Sequence, residues 1–293
     1  MATTPFLRPQ RTIRRPVAVS GFGYWSGQTN RVEFYPAPAG TGVVFVRVDL
    51  SPALRVAVRL EHCVEAEHRT NLSAGVAQVE MVEHVLAALS ASEIDNCEVR
   101  VTSAEMPGFD GSSVIVADAI VSAGVECLGA PLQPIVVRQA VRVGDSSAWI
   151  EAVPHGRPGL CVEYTLDYEG RGPIGTQHRC VYITPETFRM ELAAARTFVT
   201  QQEAESLRSR GLGTRVTPKD LLILGPNGPL ENAFRWPDEC VRHKLLDMVG
   251  DLSLAGRPLH AHVRGYRSGH RLNAMLVKQL LAADSAASFR RTA

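Results

Sequence analysis

The segment WPDECVRHKLLDMVGDL (residues 236–252) predicts a long amphipathic helix that runs from about Asp238 to Ala255. Within it, His243 and Asp247 are four residues apart, so both side chains project from one face of the helix, about 6 Å from each other. That separation allows the two side chains to bind one metal ion. A zinc ion in a hydrolase usually takes three protein ligands and leaves a fourth position for water. The segment therefore predicts two metal ligands, and a third must come from elsewhere in the chain.

A second predicted helix supplies the candidate for that third ligand. It covers residues 79–92 (VEMVEHVLAALSAS), and His84 lies near its start, directly after Glu83. A carboxylate beside a ligand can reach a metal-bound water, whose pKa falls toward about 7, and take its proton. Gly269 and His270, in the motif SGH, are expected at the end of another element, where functional sites are usually built.

Each of these signals also has a simpler structural interpretation. A His–Asp pair on a helix is, by itself, more often solvated or part of a cap than a metal site. A lone histidine in an apolar helix is more often a hydrogen-bonded core residue. The three motifs together, EH, HKxxD and SGH, favour a metal site because all three are expected at the ends of elements.

The remaining pattern predicts an α+β protein. Residues 32–49 alternate apolar and polar side chains on both sides of PAPAGTG and predict a hairpin, and the connector LGAPLQP (residues 128–134) marks a boundary between domains at residues 1–130 and 131–293. The second half repeats the element order of the first, which predicts two α+β layers packed together. The other expected elements are strands at residues 96–102, near 221 and at 260–266, and helices at residues 112–125, 185–195 and 271–283.

Composition limits the possible partners. The 31 Lys and Arg against 30 Asp and Glu give a net charge of +1, so no overall field would gather nucleic acid or acidic lipid. The basic side chains Arg264, Arg267 and Arg271 nevertheless cluster around His270. The chain has no apolar run of membrane-spanning length, and its N-terminal residues lack the apolar core of a signal peptide, so we expect a cytoplasmic protein.

The six cysteines are scattered and form no CxxC pair. This argues against a disulfide framework and against a structural zinc site, and it favours buried free thiols. They lie at positions 63, 97, 127, 161, 180 and 240.

Along nearly its whole length, the chain resembles the UDP-3-O-acyl-N-acetylglucosamine deacetylase family. The matching segments, in the family's order, are PAPAGTGVVFVRVDL, MVEHVLAALSASEIDN, EMPGFDGSS, ARTF, SRGL, VRHKLLDMVGDLSLAG and YRSGHRLN. The resemblance implies two β-α-α-β layered domains that form a sandwich with the active site between them, and a βαβ insert near residues 196–226. It also implies removal of acetate from the 2-amino group of UDP-3-O-(3-hydroxyacyl)-N-acetylglucosamine, the committed step of lipid A biosynthesis.

The resemblance also implies roles for individual residues. The metal ligands would be His84, His243 and Asp247, which bind Zn²⁺ or Fe²⁺. Glu83 would be the general base, and Asp251 would orient a protonated His270 that stabilises the oxyanion and assists the leaving amine. Thr197 would help to polarise the amide carbonyl, while Phe198, Lys244 and Gly269 would contact the substrate. The expected partner is this small molecule alone, bound by a monomer.

Three departures from the family pattern concern substrate binding. Tyr24 stands where a histidine is common, and Ala148, before Trp149, stands where a lysine would contact the nucleotide phosphate. Arg264, Arg267 or Arg271 could compensate for that lysine. In the insert, three residues stand where larger apolar side chains are expected, which predicts a weak dependence on acyl-chain length; they are Gln201, Ala204 and Pro218. The opposing possibility is that other insert residues fill the passage, namely Leu212, Leu221 and Ile223.

Two other functions remain open on the sequence alone. One is a zinc amidase that acts on a different N-acetylated amino sugar, with the catalytic residues kept and the substrate pocket changed. The other is a catalytically silent binding protein that retains the fold. The silent protein predicts the loss of a ligand or of the base, whereas all of these residues are present in the sequence.

Overall fold

The computed structural model describes residues 8–170 and 172–292. Residues 1–7, at the start of the first predicted domain, and residue 293, at the end of the second, lie outside this description. Among the described residues, none of the helices combines the length and the apolar character needed to cross a membrane.

The first half of the chain is built mainly from strands. Its elements, in order, are β1 (Arg8–Ile13), β2 (Val17–Phe22), β3 (Thr29–Pro36), β4 (Val43–Arg47), β5 (Leu54–Ala57), β6 (Cys63–Val64), β7 (Asn71–Ala74), β8 (Ala77–Val79), α1 (Glu83–Ala91), β9 (Cys97–Val101), α2 (Val114–Ala123) and β10 (Val125–Leu132).

The second half contains the longest helices. Its elements are β11 (Ile135–Val136), β12 (Val141–Gly144), β13 (Trp149–Val153), β14 (Leu160–Asp167), β15 (Thr176–Tyr182), α3 (Pro185–Thr187), β16 (Phe198–Thr200), α4 (Gln201–Ser209), β17 (Leu222–Gly225), β18 (Gly228–Pro229), α5 (Glu239–Leu252), β19 (Leu259–Tyr266) and α6 (His270–Thr292). A wider helical turn, Phe188–Leu192, continues α3.

The two main sheets have the same topology. The first has the strand order β2-β3-β9-β4-β5, and the second has the order β12-β13-β19-β14-β15. In the first sheet β9 is antiparallel to β3 and parallel to β4, and in the second β19 is antiparallel to β13 and parallel to β14. The chain is therefore a structural duplication, which confirms the predicted α+β class with two similar layers.

Helices of the two layers pack against each other at the centre of the molecule. The contact between α1 and α5 includes Gly250, where a Cβ atom would lie 2.1 Å from the backbone oxygen of Glu83. A glycine within a helix lowers the stability of the helix by about 1 kcal/mol relative to alanine. At Gly250, however, the missing Cβ allows the two helix backbones to touch. On its other side α5 packs on β14 and β15. The contact at Gly250 brings the start of α1 against the last turn of α5.

The predicted hairpin at residues 32–49 is wrong in its pairing. Both strands form, but β9 lies between β3 and β4 and pairs with each of them. The alternation of apolar and polar residues shows that a strand has one buried face, but it carries no information about which strand lies beside it. The partner comes from a segment about 50 residues further along the chain, beyond α1.

Two predicted boundaries also differ. The helix expected from residue 79 begins at Glu83, because residues 77–79 pair with β7 and Met81 has a φ of 56°. The connector at residues 128–134 is partly a strand, since β10 runs through it and pairs with β1. The division into domains at residues 1–130 and 131–293 stays a prediction, and its boundary falls within β10.

The expectation of buried thiols holds for part of the set. Within the described residues the six cysteines are free; Cys97, Cys161 and Cys240 are buried, Cys63 is half-buried, and Cys127 and Cys180 are exposed. The prediction is therefore wrong for Cys127 and Cys180, which lie on strands with one face open to solvent.

Candidate metal centre and substrate cavity

A cavity of about 820 Å³ opens between the two layers. Nearly all of the site residues expected from the sequence line it; they are Glu83, His84, Thr197, Phe198, His243, Lys244, Asp247, Gly269 and His270. Asp251 lies behind His270, one turn beyond Asp247 on α5. The start of α1, the middle of α5 and the start of α6 thus meet at one cavity. The expectation that all three motifs lie at element ends is wrong for HKxxD, which lies within α5.

The three proposed metal ligands come together at the polar end of this cavity. The Nε2 atoms of His84 and His243 lie 3.6 and 3.3 Å from Oδ1 of Asp247. The two imidazole rings are perpendicular, with centroids 5.0 Å apart. One ligand atom from each residue can be chosen such that all three lie within 4.8 Å of one another. Three donors at these separations can surround a single ion.

The bonding state of these donors fits a metal ion. Oδ1 of Asp247 is buried and has no hydrogen-bond partner within residues 8–170 and 172–292, although both imidazoles face it. Nδ1 of His243 is 3.0 Å from the carbonyl oxygen of Ala195, which leaves Nε2 for a metal. Burial lowers the pKa of His243 to about 4, so the imidazole is neutral at pH 7, as ligation requires.

Lys244 compensates part of the charge of Asp247. Its Nζ donates a 2.8 Å hydrogen bond to Oδ2, the oxygen that is not directed at the histidines. Burial by itself raises the pKa of Asp247, but His243 and Lys244 outweigh this effect and hold that pKa well below its ordinary value. Asp247 therefore stays ionised in a buried position, with one oxygen tied to Lys244 and the other available.

Glu83 is buried beside His84 and is oriented by the backbone. Its Oε2 accepts a 2.9 Å hydrogen bond from the N–H of Thr70. Burial raises the pKa of Glu83, although the neighbouring His270 and His84 partly oppose the shift. A carboxylate with a raised pKa is a better proton acceptor than an exposed one.

His270 and Asp251 form a buried pair on the other side of Glu83. Nδ1 of His270 lies 2.9 Å from Oδ2 of Asp251. Burial by itself lowers the pKa of His270, but Asp251, through its charge and its hydrogen bond, raises it to about 9. The imidazole is therefore protonated at pH 7 and can donate from Nε2 into the cavity.

Sequence analysis missed two residues that hold this arrangement. Oγ1 of Thr70 donates to Oδ1 of Asp251 at 2.5 Å, while its backbone N–H binds Glu83, so one residue connects the base to the His270 pair. Asn273 donates to Oδ2 of Asp251 at 2.8 Å. Asn273 ends the matching segment YRSGHRLN and could have been found there, whereas Thr70 lies in the loop directly before β7 and belongs to no motif.

The segment ARTF is fixed to the start of α5 by a buried ion pair. Arg196 donates to Glu239 from Nε at 2.8 Å and from its backbone N–H at 3.1 Å, and both side chains are buried. The next residue, Thr197, donates its N–H to Gly111 at 2.7 Å, and the ring of Phe198 lies 6.4 Å from that of His243. These contacts place Thr197 and Phe198 beside the candidate ligands.

The segment from β16 to β17, within residues 196–226, forms the apolar end of the cavity. β16 and β17 are parallel and are connected through α4, which is a βαβ unit. Besides Phe198, its apolar residues that line the cavity are Val199, Ala204, Leu207, Leu212, Val216, Leu221 and Ile223.

The sequence predicted that three less apolar residues would line this passage, and the prediction is wrong for two of them. Ala204 lines the cavity, but Gln201 and Pro218 do not. Gln201 lies on the outer face of α4, at its start, and is therefore exposed. Its side-chain amide donates a hydrogen bond to Glu205 on the same helix. The passage is therefore more apolar than the sequence suggested.

The other two departures also lie at the cavity. Tyr24 packs on Gly108, where a Cβ atom would lie 2.0 Å from its ring, and its hydroxyl donates to backbone carbonyls that include Gly108. Ala148 lines the opposite part of the cavity together with Arg267 and Arg271. Arg264 does not line it and pairs with Glu151 on β13, so only two of the three arginines are placed to replace the missing lysine.

Comparison with known proteins identifies the family of the chain. The sequence model of the family described as "LpxC: UDP-3-O-acyl N-acetylglycosamine deacetylase" matches residues 10–282. The chain belongs to this family.

Relatives in the deacetylase family cover nearly the whole chain. A protein of Geobacter sp. (strain M21) named UDP-3-O-acyl-N-acetylglucosamine deacetylase is 38% identical over 275 residues, which is 93% of this chain and 88% of that protein. A protein of the same name from Brucella ovis is 37% identical over 279 residues, or 94% of this chain and 96% of that protein. The similarity therefore includes both layers and the insert.

Proposed function

We propose that the protein removes the acetyl group from UDP-3-O-(3-hydroxyacyl)-N-acetylglucosamine, a step of lipid A biosynthesis. The observation that carries the proposal is the buried set of His84, His243 and Asp247, with Glu83 and a protonated His270 on two sides of it. Family membership identifies the substrate class, and the cavity supplies both a polar and an apolar end for it.

His84, His243 and Asp247 would hold a zinc ion, and the same donors also accommodate ferrous iron. When bound, such an ion supplies Lewis acidity to a water molecule and to the amide carbonyl. The buried Oδ1 of Asp247 and the neutral imidazole of His243 support this assignment.

The proton transfers fall to two residues of the chain. Glu83 accepts a proton from the attacking water, whose oxygen bonds to the amide carbon. His270 donates a hydrogen bond to the developing oxyanion and then a proton to the leaving amine as the carbon–nitrogen bond breaks. Asp251 keeps His270 protonated, and Thr197 adds a polar group near the carbonyl.

The rest of the substrate would extend in two directions. The acyl chain would lie against Leu221 and Ile223 at the insert, and Phe198 would contact the sugar region between the two ends. The nucleotide would lie near Arg267, Arg271 and Gly269. Lys244, which lines the cavity while it bonds Asp247, would contact the sugar nucleotide from that position. We also propose that the enzyme acts as a cytoplasmic monomer whose two domains divide at residues 130 and 131.

The direct test is acetate release by the purified enzyme. The acylated UDP sugar should release one acetate per molecule, and a chelator should abolish the reaction until metal is restored. UDP-N-acetylglucosamine without the acyl chain and an unrelated N-acetylated amino sugar serve as comparison substrates. Preference for either of these would favour an amidase on another amino sugar, and no release from any substrate would favour a silent binding protein.

A further inference from the structure

A second group of side chains that could hold a metal ion lies on the outer face of the second sheet. It consists of Cys161 on β14, Cys180 on β15 and His262 on β19, and one ligand atom from each can be chosen such that all lie within 4.8 Å of one another. The alternating residues Val162, Val181 and Val263 on the same strands are buried on the side of α5. The group is therefore separated from the catalytic cavity by the thickness of the sheet.

We propose that Cys161, Cys180 and His262 form a second metal site, selective for a thiophilic divalent ion such as zinc. Two thiolates and an imidazole are a ligand combination that selects zinc over harder ions such as magnesium. Strand pairing fixes their positions, because Cys161 is directly opposite His262, and Cys180 is opposite Glu163, two residues further along β14.

The separation of the sulfur atoms fits a shared ion. The two Sγ atoms are 3.5 Å apart. Zinc–sulfur bonds of about 2.3 Å at a tetrahedral angle place two sulfurs about 3.8 Å apart, so a shared ion requires little movement. A disulfide requires about 2.05 Å between the sulfurs. It would also join diagonal positions of neighbouring strands, whose Cα atoms are typically about 7 to 8 Å apart, beyond the usual disulfide range.

The surroundings of His262 support a cation. Its Nε2 is buried and has no aligned hydrogen bond in the part of the chain that the structure describes. A carboxylate oxygen of Glu163 nevertheless lies 2.8 Å from it, and the other oxygen of Glu163 is 3.0 Å from Nε2 of His178. Glu163 thus places negative charge beside the three donors, which favours a bound cation there.

Cobalt distinguishes this site from the catalytic one. A thiolate bound to Co²⁺ gives an intense charge-transfer absorption in the near ultraviolet, which His84, His243 and Asp247 cannot produce because they contain no sulfur. Enzyme stripped of metal and reloaded with Co²⁺ should bind two equivalents and show this absorption. Cys180→Ser and His262→Ala should each bind one equivalent fewer and lose the absorption, while acetate release stays within about twofold of the parent.

Two further variants complete the test. Cys127→Ser changes an exposed cysteine on another sheet and should keep both equivalents and the absorption. His84→Ala should lose one equivalent and keep the absorption, so failure of the catalytic assignment is separable from failure of this one. Cys180→Ser is preferred to a change at the buried Cys161, since an exposed residue is less needed for folding. The proposal is overturned if the parent shows no thiolate absorption, if Cys180→Ser keeps it, or if thiol titration finds Cys161 and Cys180 oxidised to each other.

Discussion

At one end of the cavity, buried polar side chains are held by directional bonds between the central helices and their neighbours. Glu83 accepts from a backbone N–H, His243 bonds the carbonyl of Ala195, and His270 bonds Asp251. At the other end, the wall is apolar and comes from one insert, where Leu221 and Ile223 are buried behind a largely exposed α4. The side chains of the first end are fixed by hydrogen bonds, and those of the second are fixed by packing.

This difference predicts how each end responds to substitution. Catalysis at the polar end depends on positions defined to a fraction of an ångström, so changes there should mainly reduce kcat. The apolar end contributes non-directional burial, which should change kcat/KM in proportion to the acyl surface removed from water. Four predictions test the comparison.

The largest effect is expected from the metal ligands. His84→Ala, His243→Ala and Asp247→Ala should each bind one metal equivalent fewer than the parent and lose acetate release, because two remaining donors hold the ion poorly. Circular dichroism should still show a folded protein, since α1 and α5 bury other apolar residues. His260→Ala, at a half-buried histidine away from the cavity, is the control. Full metal content in all three ligand variants would show that the site is misplaced.

The second effect concerns proton transfer by Glu83. Glu83→Gln should keep the metal but lose about 10²- to 10⁴-fold in kcat, because an amide cannot accept the proton of water. In the parent, activity should fall at low pH as Glu83 becomes protonated, and burial, which raises its pKa, should move this limb above the ordinary carboxylate range. Activity in Glu83→Gln equal to that of the parent would exclude the assignment.

The third effect is a displacement of the alkaline limb. His270 acts in its protonated form and has a pKa of about 9, so kcat/KM should fall as the pH rises through about 9. Asp251→Asn removes the carboxylate that raises this pKa, leaving burial to lower it, so the limb should move toward or below the ordinary histidine value of 6.5.

Thr70→Val is the matched control for Asp251→Asn. It removes a hydroxyl that bonds Asp251 but keeps both the carboxylate and the backbone N–H that binds Glu83. Its alkaline limb should stay near that of the parent even if kcat falls. Equal profiles for the parent and Asp251→Asn would mean that Asp251 has only a structural role.

The same contrast explains what the sequence could predict. The candidate ligands were recognisable because His243 and Asp247 lie four apart on one helix and because the chain resembles a family with a known site. Thr70 was not recognisable, because the two residues that it contacts are distant in the sequence. Glu83 is 13 positions away from Thr70, and Asp251 is 181 positions away. The β3–β4 pairing failed for a similar reason, as the strand between them follows α1. Gln201 and Pro218 were misassigned because spacing does not show which side of a short helix or loop faces a cavity.

The smallest effect per substitution is expected at the apolar end, and it reverses the expectation drawn from the sequence. Because Leu212, Leu221 and Ile223 line the cavity whereas Gln201 and Pro218 do not, kcat/KM should rise steeply with acyl length, by roughly threefold to fourfold per methylene. Leu221→Ala should flatten this rise while leaving the rate with an unacylated substrate nearly unchanged. Gln201→Ala, on the exposed face of α4, should leave the rise of kcat/KM with acyl length as in the parent. Measuring kcat/KM for unacylated, short-chain and 14-carbon substrates decides the question: a shallow rise in the parent, or the same steep rise in Leu221→Ala, would show that the acyl chain binds elsewhere.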